Sequence, residues 1–90
     1  MRAVITIVGK DRVGIIAAVT GLLAKENVNI LDITQTILHD ELFTMVMSVD
    51  PTASPLPFGA LSDALAALGE EMGMTIHTQR EDTFRAMHRV

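Results

Sequence analysis

The run Val4-Ile5-Thr6-Ile7-Val8-Gly9-Lys10-Asp11-Arg12-Val13-Gly14-Ile15-Ile16 decides the fold. Its β-branched start predicts a buried strand over residues 2–8. A short polar loop containing glycine follows and opens onto a helix predicted from Val13 to Glu26. There Ile15, Ile16, Val19, Leu22 and Leu23 recur at the spacing of one helical face. Asn27 reads as the stop, because Asn tolerates the left-handed conformation that ends helices.

Beyond Asn27 the pattern changes period. Residues 28–38 predict a long strand, and 42–49 a second, with Phe43, Met45, Met47 and Val49 alternating onto one face. His39-Asp40-Glu41 between them has room only for a hairpin turn. The loop from Asp50 to Pro57 holds all three prolines, and Ser54-Pro55 reads as a helix N-cap and first helical residue. Leu61, Leu65, Leu68 and Met72 mark a second amphipathic helix, which Gly73 ends. Residues 74–80 predict a fourth strand with Met74, Ile76 and Thr78 on one side. The tail 81–90 carries Phe84, Met87 and Val90 at helical spacing and predicts a short helix packed on the same domain.

The order βαββαβ predicts an α+β, ferredoxin-like sandwich: a four-stranded antiparallel sheet, two helices on one face, and the terminal helix in addition. Strand 28–38 then lies at a sheet edge. It has one charge, Asp32, no Lys and no Pro, so nothing protects it from pairing with another chain. A homodimer joined through this edge and the first helix is the expectation.

Composition narrows the function. Hydrophobic residues make up 49% of the 90, enough for one core and too many for a disordered chain. Seven Lys and Arg against 11 Asp and Glu give a net charge of -4, which offers no field for a nucleic-acid backbone. Three Phe with no Trp or Tyr leave nothing to stack bases. The lack of cysteine excludes thiolate metal sites and thiol nucleophiles. His39, His77 and His88 lack the spaced partners of a metal site, and Asp40-Glu41 and Glu70-Glu71 are adjacent pairs that do not face each other as an acid and a base would. No apolar run approaches the roughly 20 residues that cross a bilayer, so a soluble, cytoplasmic, non-enzymatic protein without cofactor is expected.

The loop is the place for a ligand. Backbone N–H groups at a helix start carry partial positive charge and suit a carboxylate. Amides of Gly14 and Ile15 stand at that start, while Asp11 and the side-chain carbonyl of Asn29 suit an ammonium. Ile15 and Ile30 would supply an apolar wall, and Arg12 adds a cation to the loop. The same residues also allow a purely structural reading. Asp11 would then cap the helix, Gly14 would serve helix-to-sheet packing, and Asn29 would satisfy backbone groups at the strand entrance.

Gly9-Lys10-Asp11-Arg12-Val13-Gly14-Ile15-Ile16, followed by Asn27-Val28-Asn29-Ile30, closely resembles the ACT domain, over about residues 1–80. The ending Glu81-Asp82-Thr83-Phe84-Arg85-Ala86-Met87-His88-Arg89 is similar to that of the small stand-alone ACT proteins of undefined function. The resemblance implies a regulatory module that pairs two sheets edge to edge and holds an amino-acid effector between two domains, under the strand-to-helix loop. It places ligand contacts on Asp11, Gly14 and Asn29. This chain departs from amino-acid-binding members, some of which have His at the position of Gly9 and Asn at that of Asp11, and from the frequent Pro at Val13. A ligand-free dimeric interaction module is the alternative function.

Overall fold

Alternation and helical periodicity become a two-layer molecule in the computed structural model, which describes residues 1–38 and 41–87. The elements are β1 (Ala3–Lys10), α1 (Ile15–Lys25), β2 (Asn29–Leu38), β3 (Leu42–Asp50), α2 (Phe58–Met72), β4 (Met74–Arg80) and α3 (Glu81–Met87). Four strands form one antiparallel sheet in the order β2-β3-β1-β4. This is the ferredoxin-like arrangement, with β2 at an edge. His39 and Asp40 of the expected turn, and His88, Arg89 and Val90 of the tail, lie outside the described residues.

Strand alternation selects what is buried. Ala3, Ile5 and Ile7 of β1, Phe43, Met45, Met47 and Val49 of β3, and Met74 and Ile76 of β4 face the helices. Ile15, Val19 and Leu23 of α1 and Leu61 and Leu65 of α2 close over them in a single core. Thr78 continues the β4 series inward, and its hydroxyl is buried without a hydrogen-bond partner among the described residues. Gly69 lets α2 lie close on β4, since a Cβ there would meet the Met74 carbonyl oxygen at 2.7 Å.

The helix ends follow from local chemistry. Val28 N–H donates to the Leu23 carbonyl at 2.8 Å and Asn27 N–H to that of Ala24 at 3.1 Å, with Asn27 at φ 60. These two bonds form a Schellman end, with Val28 and Leu23 both in the core behind it. Gly73 ends α2 at φ 71. At the other end of α2 the structure corrects the expected start. Ser54 and Pro55 lie in a turn, where Leu56 N–H donates to Ser54 Oγ at 3.2 Å, and Pro57 is the N-cap. Leu56 packs against the core in that turn, so the helix begins only after it. The first helix likewise starts at Ile15 and not Val13, whose side chain is 98% exposed.

The edge strand carries a feature absent from the sequence reading. Its pairing with β3 shifts between Ile30 and Asp32, leaving Leu31 as a bulged extra residue. Past the bulge, Ile33, Gln35 and Ile37 lie opposite Met47, Met45 and Phe43, on the helix-covered face. Yet Ile33 and Ile37 remain 42% and 53% exposed, because neither helix reaches the outer edge of the sheet.

Candidate functional site

The loop between β1 and α1 is held at both ends. Asp11 N–H donates to the Glu41 carbonyl at 2.8 Å, tying the loop to the start of β3. Arg12 Nη1 donates to the Met72 carbonyl at 3.1 Å, in the last turn of α2. A guanidinium there meets the negative end of the helix dipole. Arg12 therefore has a structural contact in addition to its place in the loop.

Gly14 is the N-cap of α1, with φ 93 and ψ 0, and no side chain caps the helix. The reading of Asp11 as a helix cap is thereby corrected: the glycine turn carries the chain past it. The packing reading of Gly14 is corrected too. A Cβ at Gly14 would meet nothing within 4 Å, so the requirement there is conformational. Gly14 O accepts from Ala18 N–H at 2.9 Å, while the first-turn amides before Ala18 have no partner within the helix.

These groups open onto a groove of about 220 Å³. Asp11, Arg12, Gly14 and Ile15 line it together with Ile16 and Ala17, and β2 and β3 contribute Gln35 and Phe43. Gln35 and Phe43 escaped the sequence reading. Counting outward from the hairpin would have found them, since Phe43 pairs with Gly9 and Gln35 with Met45.

Asn29 and Ile30 are not in this groove. The register runs Leu38–Leu42–Lys10 at the loop end of the sheet and Ile30–Val49–Ala3 at the other. Seven steps of β1 separate the two ends, roughly 23 Å at about 3.3 Å per residue. Within one chain, the loop and Asn29 cannot touch the same small molecule. Asn29 pairs with Asp50, whose carboxyl is held below its ordinary value, first by the Thr52 hydroxyl and then by the Thr52 backbone N–H. Among the described residues no group of three His, Cys, Asp or Glu side chains lies close enough to hold a metal ion. No described helix is long and apolar enough to cross a membrane.

Residues 2–79 match the ACT domain family. The chain belongs to the ACT domain family. This ACT domain is 49% identical to a UPF0237 protein of Methanopyrus kandleri, over 99% of this chain and 98% of the relative. The ACT domain protein from Streptococcus pneumoniae superposes with a TM-score of 0.81 at 41% identity, covering 98% of each chain. A formyltetrahydrofolate deformylase from Pseudomonas syringae pv. tomato contains the same fold, with a TM-score of 0.80 at 26% identity. The match there covers 88% of this ACT domain and 27% of the enzyme. The family is one of regulatory ligand-binding domains, and the relatives of matching length are small single-ACT-domain proteins.

Proposed function

We propose that this ACT domain is a non-catalytic homodimeric sensor that binds an amino acid or related small metabolite between two copies. The observation that carries the reading is the uncapped start of α1, which opens with Asp11 onto a groove beside the unprotected edge of β2. The amides at Gly14 and Ile15 take the carboxylate, favoured by the helix dipole. Asp11 takes the ammonium.

The second copy completes the site. Two β2 edges pairing antiparallel about Thr34, with Leu31 bulged out of the pairing, bring residue 29 of one chain opposite Leu38 of the other. That end of β2 is the loop end. Asn29 of the partner subunit then reaches the ammonium, and Ile30 of the partner subunit closes the apolar wall formed by Ile15. The long separation of Asn29 from Asp11 in one chain becomes a requirement for pairing. The exposed Ile33 and Ile37 become interface residues, covered when the second sheet arrives.

Thermal unfolding against a panel of amino acids tests this. A ligand present at about 100 times its dissociation constant adds about 2.7 kcal/mol of stability. In a domain of this size that raises the midpoint by about 10 °C or more. The expected result is a shift with one compound that disappears in Asn29→Ala while the dimer persists in sedimentation. A flat panel removes the sensor reading and leaves a dimeric interaction module.

A further inference from the structure

The open face of the sheet, opposite α1 and α2, holds a second groove of about 260 Å³. Val4 and Val46 form its floor, and Phe84 of α3 stands against them as its wall. The roof is anchored where Glu81 N–H donates to the Arg2 carbonyl at 2.9 Å, extending the β1–β4 pairing into α3. Ser48 and Thr34 add two hydroxyls to the lining. The volume falls below the roughly 300 Å³ at which drug-sized pockets begin, so the groove suits a smaller molecule.

Its charges decide which molecule. Arg85 is paired with Glu81 at 2.7 Å, and just outside the groove Arg80 is paired with Asp82 at 3.6 Å. Arg2 and Asp32 also line the groove, and neither side chain makes an ion pair or hydrogen bond among the described residues, while the Arg2 charge lies near enough to Asp50 to help hold that carboxyl below its ordinary value. They stand at opposite sides of the floor. Asp32 pairs with Ser48 and Ser48 with Val4, which places Asp32 about 10 Å from Val4 across two strand spacings. Arg2 lies one same-face step beyond Val4, and its long side chain spans part of that gap. One positive pole and one negative pole thus flank an apolar floor. A simple anion would meet the Asp32 carboxylate, and a simple cation would meet the Arg2 guanidinium. A molecule carrying both charges satisfies both.

We infer that this groove is a second ligand site, which takes a small zwitterion with an aliphatic side chain, that is, a free aliphatic amino acid. Arg2 binds its carboxylate, Asp32 its ammonium, and Val4, Val46 and Phe84 its side chain. The site is complete within one chain, so it stands apart from the groove at α1 and does not rest on pairing through β2.

Two-dimensional amide NMR on the full chain reads the inference directly, with L-leucine as the probe. Its two single-charge relatives serve as controls: 4-methylpentanoate lacks the ammonium, and 3-methylbutylamine lacks the carboxylate. Leucine up to about 20 mM, the range in which millimolar affinity saturates, is expected to move the amides of Val4, Val46, Ser48 and Phe84. Each control is expected to bind about tenfold or more weakly, as loss of a charge-assisted contact implies. Arg2→Gln and Asp32→Asn remove exposed groups and leave the core intact, so their expected tenfold losses report on the groove and not on folding. Asn29→Ala is expected to change nothing here, which separates this site from the one between subunits. Amides of the groove that stay still, controls that bind as well as leucine, or shifts confined to residues 11–17 would each overturn the inference.

Discussion

Gly14 stands at φ 93 with open space where a Cβ would go. Its cost of replacement is therefore backbone strain alone. Gly14→Ala should lower stability by about 1–2 kcal/mol, the penalty of the left-handed region for an L-residue. Denaturant unfolding measures it, and a loss well above that range would mean a packing role. Thr78 is the opposite case. Its hydroxyl is buried and unpartnered among the described residues, on a strand face otherwise filled by Met74 and Ile76. Thr78→Val keeps the shape and removes the stranded polar group, so it should raise stability by about 1 kcal/mol. The same unfolding experiment reads that gain. Both residues are visible in the sequence as a loop glycine and an inward-facing threonine. Neither the φ angle at Gly14 nor the missing partner at Thr78 is, because both depend on where the rest of the chain lies.

At the scale of elements, β2 concentrates what is unusual. It is an edge strand without Lys or Pro, and it carries half-exposed Ile33 and Ile37 on its helix-side face, a surface open to pairing with another chain. Ile33→Lys places a charge at the centre of that edge, where a second copy would bury it. It is expected to turn the proposed dimer into a monomer in sedimentation equilibrium while the far-ultraviolet circular dichroism stays unchanged. A dimer that survives would place the contact elsewhere. The elements themselves were largely legible. The alternation of β3 and the Asn27 and Gly73 helix ends depend on local chemistry, and the structure has them where the residues indicate. The start of α2 was not legible, because a proline can begin a helix at either of two places. The choice fell to Leu56, which the core requires outside the helix. The candidate site divides in the same way. Asp11 to Ile15 are neighbours in sequence and line one groove, whereas Gln35 and Phe43 join them only through strand register.

For the whole molecule, the proposed site would link ligand binding to assembly, because the loop and Asn29 lie too far apart in one chain. A ligand held by the α1 start of one chain and by Asn29 of the partner subunit would touch both chains, so it would bind the dimer more tightly than the monomer. Thermodynamic reciprocity then requires that the ligand tighten the dimer by the same factor by which dimerisation tightens the ligand. Two consequences are measurable in dilution experiments. Without ligand, the unfolding midpoint should rise with protein concentration, as it does when folding is coupled to association. With a saturating effector, the dimer dissociation constant should fall by about tenfold or more, a coupling of about 1.4 kcal/mol, within the usual range for linked sites. Asn29→Ala should uncouple the two, leaving dimerisation intact and indifferent to the effector. A ligand confined to one protomer, such as one in the groove under α3, raises the midpoint without moving the dimer constant. Measuring both quantities in one titration therefore distinguishes a sensor that works through its subunit contact from a domain that only carries its ligand.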